Sequence, residues 1–194
     1  MKRKPVLILL SGNLCTGKST LSDNLARHNG FIIFKSREVL RKLTPTEYIS
    51  KYATEREGLI NYALELDEQT MGSWVADNLS FETIKTGKVV LDCIRLVSQL
   101  KALKKKFNTA ATIYHVHLKC SENGLMKRFS ERDENKRENI LISNIDFQQA
   151  KEHLIEQQSI ELEPYADILI STDSITTDEV FFQVIAKFLK DNVN

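Results

Sequence analysis

The chain has no apolar run long enough to cross a membrane. The basic start, Met1-Lys2-Arg3-Lys4, is followed by apolar residues only as far as Leu10; Ser11, glycines and a lysine then intervene. That is too short for a secretory signal core or a membrane span, and it reads instead as a buried strand. The chain also lacks a charge imbalance: 27 Lys and Arg stand against 26 Asp and Glu. Bulk charge therefore gives no sign of a nucleic-acid or membrane partner. Cysteine is scarce. Cys15, Cys93 and Cys120 are odd in number and none lies in C-x-x-C spacing, which argues against a disulfide framework or a zinc site and fits small buried residues in a reducing cytoplasm. There is no internal repeat and no low-complexity linker. A sequence of 194 residues that is 42% hydrophobic fits one domain with a substantial core.

What is present begins ten residues in. The stretch Gly12-Asn13-Leu14-Cys15-Thr16-Gly17-Lys18-Ser19-Thr20 has the spacing G-x-x-x-x-G-K-S. An apolar run precedes it, and a helical pattern with Leu21 and Leu25 four apart follows. This is the spacing and context of a phosphate-binding loop. Its glycines let backbone N–H groups wrap an anion, and the helix adds its positive end. Lys18 is expected to reach the β and γ phosphates of ATP, and Ser19 to offer its hydroxyl to Mg²⁺. Asp92 closes the apolar run Lys88-Val89-Val90-Leu91. A carboxylate at the carboxyl end of a buried strand lies in the crevice where open α/β sheets bind ligands, so Asp92 is the second candidate metal ligand.

Five short β-rich runs, Val6–Leu10, Phe31–Phe34, Val89–Leu91, Ile113–Leu118 and Ile168–Ile170, alternate with helical stretches. Helices are expected over Gly17–His28, Ser36–Leu43, from Glu55 past Leu66, Trp74–Leu79, Leu96–Phe107, Gly124–Arg132, Phe147–Gln158 and Asp178–Leu189. The pattern predicts an α/β fold: a doubly wound, five-stranded parallel sheet with helices on both faces. The roughly fifty residues between the second and third strands exceed one crossover. They are expected to form a small helical insertion, about 36–85, over the mouth of the site. The core would be 1–35 and 86–194. Tyr48, Tyr52, Tyr62 and Trp74 could line a base pocket there or form the insertion's own core.

Further motifs resemble the nucleoside monophosphate kinases of the adenylate kinase group and, more broadly, kinase-like P-loop proteins. Lys35-Ser36-Arg37-Glu38-Val39-Leu40-Arg41 is similar to that family's S-T-G-D-x-L-R, with Arg37 in place of the glycine. Asp92-Cys93-Ile94-Arg95-Leu96-Val97-Ser98-Gln99 is similar to D-G-x-P-R-x-x-x-Q, one residue shorter before the arginine. The resemblance implies that Ser36, Glu38, Arg41, Arg95 and Gln99 bind the acceptor, with Arg41 and Arg95 on its phosphate and Gln99 at the base edge. Arg128 and Arg132, an R-x-x-x-R pair, would neutralise the transferring phosphoryl group beside a short lid, about 128–146. Ser171-Thr172-Asp173 would cradle the donor base. No cysteine-bearing lid insertion is present.

The expected activity is an ATP- and Mg²⁺-dependent transfer of the γ-phosphoryl group to a nucleoside monophosphate, catalysed by Lys18, Arg95, Arg128 and Arg132. An anionic acceptor needs no general base, which suits an arginine-rich site with no obvious catalytic histidine. A hydroxyl acceptor, as in dephospho-coenzyme A kinases, would need one, and Glu38 is the candidate. A non-kinase nucleotide-binding regulator is the third reading. Against a GTPase, Asn135-Lys136-Arg137-Glu138 ends in the wrong residue for N-K-x-D. Against an AAA-type machine, the chain is too short for a second subdomain.

Overall fold

The computed structural model describes residues 4–131, 147–148 and 154–192. Its centre is β1 (Val6–Gly12). Val6, Leu7, Ile8, Leu9 and Leu10 are each 0–3% exposed, so both faces of the strand are covered. That is why the run is continuously apolar rather than alternating. Around it stand β2 (Ile32–Phe34), β3 (Lys88–Leu91), β4 (Thr112–Lys119) and β5 (Ile168–Ser171) in the order β2-β3-β1-β4-β5. Every pairing is parallel, as the sequence predicts.

Two cores form, one on each face. On one side Ile8, Leu10, Val90, Val116 and Leu118 pack with Leu21 and Leu25 of α1 (Lys18–Asn29) and with Val180 and Val184 of the closing helix. On the other, Leu7, Leu9, Val89 and Leu91 meet Trp74, Val75, Leu100, Leu103 and Phe107. Fully burying each such aliphatic side chain contributes about 1.5–3 kcal/mol relative to exposure. α1 stops at Gly30, whose N–H caps Ala26 O and Leu25 O in the left-handed conformation.

The segment between β2 and β3 is a run of five helices joined by short turns: α2 (Ser36–Leu43), α3 (Thr46–Ile49), α4 (Glu55–Thr70), α5 (Ser73–Asn78) and α6 (Phe81–Lys85). α4 starts where the Thr54-x-x-Glu57 pattern places it, with Thr54 Oγ1 accepting from Glu57 N. The rest of the chain carries α7 (Val97–Phe107), α8 (Glu122–Ser130), α9 (Leu154–Ile160), a 3₁₀ turn at Glu163–Tyr165, and α10 (Thr177–Asn192). Arg132 and most of the expected lid lie outside the described residues.

The imperfect alternation of β4 has a physical cause. Tyr114, Val116 and Leu118 belong to the α1 side. His115 and His117 point to the other face, where Ser11 Oγ lies 2.6 Å from His115 Nε2 and 2.8 Å from His117 Nδ1. The carbonyl of Tyr165 accepts from His115 Nδ1 at 2.9 Å. That assigns the network: Ser11 donates to His115 Nε2 and accepts from His117 Nδ1–H, with both rings neutral. Burial lowers both pKa values, His117 to about 4.

The unfolded chain therefore binds more protons than the folded one between pH 6.5 and about 4. Stability from this group is complete above pH 6.5 and is lost as pH falls. Urea unfolding at pH 7 and pH 5 is expected to show a loss of up to about 2 kcal/mol from His117 alone. A His117→Gln variant is expected to flatten that slope; an unchanged slope would exclude this buried network as its source.

Candidate functional site

The loop after β1 turns on Gly12, Cys15 and Gly17, which have φ of 127°, 63° and 95°. Gly12 pairs with Leu118 in the β1–β4 register, and a Cβ built there would meet Leu118 O at 2.1 Å. Only glycine fits that approach. Thr16 Oγ1 donates to Asn13 O at 2.8 Å, closing the loop on itself. Ser159 Oγ, from α9, donates to Asn13 Oδ1 at 2.9 Å. Lys18 Nζ lies at the loop's mouth, donating to Gly12 O and Asn13 O at 2.6 and 2.7 Å.

From this loop opens a cavity of about 500 Å³ that runs beneath α2, α4 and α5. Residues Leu14 to Thr20 form one wall, and Ser36, Arg37, Glu38 and Arg41 of α2 another. Arg95, from the β3–α7 connection, and Gln99, from the first turn of α7, close a third side. The crevice lies outside the carboxyl ends of β1 and β3. Here the order β2-β3-β1-β4-β5 makes successive connections run to opposite sides, which is the switch point of an open α/β sheet.

Asp92 sits between the loop and the insertion. Ser36 donates to its Oδ1 twice, from N at 3.2 Å and from Oγ at 3.1 Å. Burial raises its pKa, opposed by those two donors and by the charges of Arg95 and Lys18. Ser19 lines the same cavity. A hydroxyl and one carboxylate beside a phosphate loop form a hard-oxygen donor set. That fits Mg²⁺, which takes one or two carboxylates together with substrate phosphates.

The arginines do not all behave alike. Arg41, named by motif, is locked to Glu55, with Nε to Oε1 and Nη2 to Oε2 both at 2.8 Å. Both side chains are about half exposed, so the pair contributes no more than about 1 kcal/mol. Arg37, which stands where the resembling family has glycine, lies deeper. Burial lowers its pKa, and the charges of Arg41 and Arg95 lower it further. Three guanidinium groups thus share one end of the cavity. Arg37 was missed because the motif assigns it no role, yet its spacing of four from Arg41 places both on one face of α2.

Gln99 is 3% exposed, and both ends of its amide are engaged. Its Oε1 accepts from Arg95 N at 2.9 Å, and its Nε2 donates to Asp67 Oδ1 and Oδ2 at 2.9 and 3.1 Å. Trp74 Nε1 donates to Asp67 Oδ1 at 2.6 Å. Burial raises the Asp67 pKa, opposed first by Gln99 and then by Trp74 and Arg95. Gly72, at φ 76°, lets the α4–α5 turn approach closely: a Cβ there would lie 2.7 Å from Gln99 N. Asp67 also escaped the sequence reading. The available signal was its place on the stripe Leu59, Ala63, Asp67, one polar residue continuing an apolar face. Trp74 lines the cavity. Tyr48, Tyr52 and Tyr62 pack on one another instead, with Tyr48–Tyr62 centroids 5.0 Å apart and Tyr52 OH donating to Tyr48 OH.

On the far side of the loop a smaller cavity of about 210 Å³ is bounded by Thr16, Thr20, Arg128, Thr172, Ile175 and Thr177 among others. Arg128 Nη1 donates to Thr172 Oγ1 at 2.8 Å and to Cys15 O at 3.4 Å, and its Nη2 donates to Thr172 O. The structure therefore places Arg128 as a clasp between the phosphate loop and the end of β5. Asp173 accepts from Ser121 N, Ser121 Oγ and Ser171 Oγ, which hold its carboxyl far below the usual range and tie β5 to the start of α8.

Residues 8–159 match the family model described as the AAA domain. The chain belongs to this family. The assignment concerns the P-loop domain itself, whereas the sequence argument against an AAA-type machine concerned a second subdomain. No curated protein shows a significant sequence match. Among solved structures, a gluconokinase from Sinorhizobium meliloti 1021 superposes with a TM-score of 0.53 at 16% identity, covering 99% of this chain and 97% of the other. Shikimate kinase from Acinetobacter baumannii, in complex with shikimate, gives 0.54 at 15%, covering 98% and 96%. Shikimate kinase from Aquifex aeolicus VF5 gives 0.50 at 16%, covering 97% and 99%. The chain thus has the P-loop kinase-like fold. Among the described residues no helix is long and apolar enough to cross a membrane.

Proposed function

We propose that this protein is a cytoplasmic small-molecule kinase that transfers the γ-phosphoryl group of Mg²⁺-bound ATP to a nucleoside monophosphate. The observation that carries the reading is the cluster of Arg37, Arg41 and Arg95 in a cavity continuous with the phosphate loop. A cationic pocket facing Lys18 suits an acceptor that is itself an anion. Phosphoryl transfer depends on positioning and charge neutralisation far more than on covalent help. Ser19 and Asp92 would hold Mg²⁺, which supplies charge neutralisation at the phosphates when bound. Lys18 orients the β and γ phosphates. Arg95 and Arg37 hold the acceptor phosphate in line. Arg128 and Thr172 bound the space beside the loop where the donor nucleoside would lie.

Arg95→Ala and Arg37→Ala are expected to raise the acceptor KM by ten-fold or more, with ATP affinity in an equilibrium titration unchanged. Arg41→Ala is expected to do less, because Glu55 already occupies its fork. Equal loss of ATP affinity would place these arginines on the donor side.

Glu38 tests the acceptor's chemistry. It is exposed and lies 3.5 Å from Lys35 Nζ. A phosphate nucleophile has no proton to give up, so Glu38→Gln is expected to change kcat less than about ten-fold. A loss near a thousand-fold, with the ATP KM unchanged, would favour a hydroxyl acceptor with Glu38 as its base.

A further inference from the structure

Ser36 joins two parts of the site that lie 56 residues apart in the chain. It opens α2, and its N–H and Oγ–H both donate to Asp92 Oδ1, at 3.2 and 3.1 Å; the hydroxyl also lies 3.5 Å from Cys93 O. The backbone continues the same seam, with Asp92 N donating to Phe34 O at 3.2 Å. An oxygen that accepts two hydrogens has its lone pairs filled, so Oδ2 is the oxygen of Asp92 suited to a cation. α2 itself is lightly held. None of its residues is buried, and Val39 and Leu40 only lean on the core. Its N-cap, Lys35, supplies no side-chain cap. The carboxylate of Asp92 does from outside what a local Ser or Asp does at other helix starts. Farther along, the exposed pair Arg41–Glu55 ties α2 to α4. The helix brings Arg37 and Arg41 to the cavity, and the segment after Asp92 brings Arg95. The seam at Ser36 therefore sets where Arg37 lies relative to Arg95 and the phosphate loop.

We propose that Ser36 is a positioning residue that couples the two substrate sites: a magnesium nucleotide held at Asp92 orders α2 through Ser36 and so raises the affinity for the acceptor. This rests on the proposed places of Mg²⁺ at Asp92 and of the acceptor anion at Arg37 and Arg95. A cation on Oδ2 narrows the carboxylate to the orientation in which Oδ1 meets Ser36. A fixed acceptor of two hydrogens then pins the first turn of a helix that little else holds. Ordering α2 in advance removes an entropic cost that the acceptor would otherwise meet on binding. Such coupling is reciprocal, so the acceptor tightens the nucleotide by the same factor.

The test is amide hydrogen exchange of the full-length protein with β,γ-methylene-ATP, in Mg²⁺ and in EDTA, at concentrations that fully protect the phosphate loop. With Mg²⁺, exchange at residues 38–43 is expected to slow by about ten-fold, the size of one hydrogen bond to a charged group. In EDTA it is expected to stay unchanged. Ser36→Ala, which keeps the N–H but loses the hydroxyl, is expected to lose most of the slowing with the loop still protected. Ser36→Thr, which keeps both donors, is expected to retain it. In parallel, calorimetry reads the affinity for the analogue with Mg²⁺ in the presence and absence of AMP, CMP, GMP and UMP. The wild type is expected to show mutual tightening of about five-fold or more with the monophosphate it uses, and Ser36→Ala to lose it. Protection of the loop without α2 overturns the coupling, and so does equal slowing of α2 in EDTA. Both are read on the wild type and stand even if a variant fails to fold. A folded Ser36→Ala variant that keeps the full slowing overturns the role of Ser36. Slowing of α2 as expected, with no effect of any of the four monophosphates, supports the coupling and overturns the nucleoside monophosphate reading instead.

Discussion

Replacing Lys18 with alanine is expected to lower phosphoryl transfer by 10²-fold or more while the protein stays folded. The side chain is half-buried at the mouth of the loop, and among the described residues its ammonium donates to the carbonyls of Gly12 and Asn13. Removing it opens no cavity in either core. What is lost is a preorganised positive charge at the transferring group, the kind of contribution whose removal typically costs 10²–10³ in kcat. The measurement is kcat with saturating ATP, beside a melting curve. Near-normal turnover by a folded variant would remove the loop from the chemistry.

Gly12→Ala is expected to act differently, through the fold. The new Cβ would sit 2.1 Å from Leu118 O and 3.2 Å from Thr16 Oγ1. One neighbour is the backbone of a central strand, so it cannot move aside without disturbing the β1–β4 pairing. The backbone at φ 127° is strained for any L side chain. Strain and overpacking together are expected to cost about 3–5 kcal/mol, a large share of the 5–15 kcal/mol that typically holds a domain together. Urea unfolding and soluble yield read the effect. A stability within about 1 kcal/mol of the parent would show that the loop does not lie against β4 as described. Gly17 makes the contrast, since a Cβ there meets nothing within 4 Å.

Much of the sheet is visible in the sequence because parallel central strands must be apolar on both faces, and Val6–Leu10 and Val89–Leu91 are. α2 matches its expected bounds of Ser36–Leu43, since Pro45 prevents it from running on. The short helices α3 and α6 are not visible, because four or five residues carry no periodicity. α6 depends instead on Ser80 Oγ accepting from Thr83 N. β4 was blurred by His115 and His117, whose burial makes sense only beside Ser11, more than a hundred residues away. The same limit governs the site. The phosphate loop is local in sequence and therefore legible. The pairing of Asp67 with Gln99 spans 32 residues, and the role of Arg37 depends on how α2 lies over the cavity. Family motifs direct attention to Arg41 and Gln99, but the structure pairs the first with Glu55 and the second with Asp67.

The central claim is that the γ-phosphoryl group of ATP passes to a phosphate rather than to a hydroxyl. The direct measurement is phosphorus-31 NMR of the products formed by the full-length protein with ATP, Mg²⁺ and a mixture of nucleoside monophosphates, sugar acids and dephospho-coenzyme A. The account predicts growth of a nucleoside diphosphate pair of coupled resonances in step with ADP. A phosphomonoester singlet growing with ADP, and no new diphosphate, would contradict it.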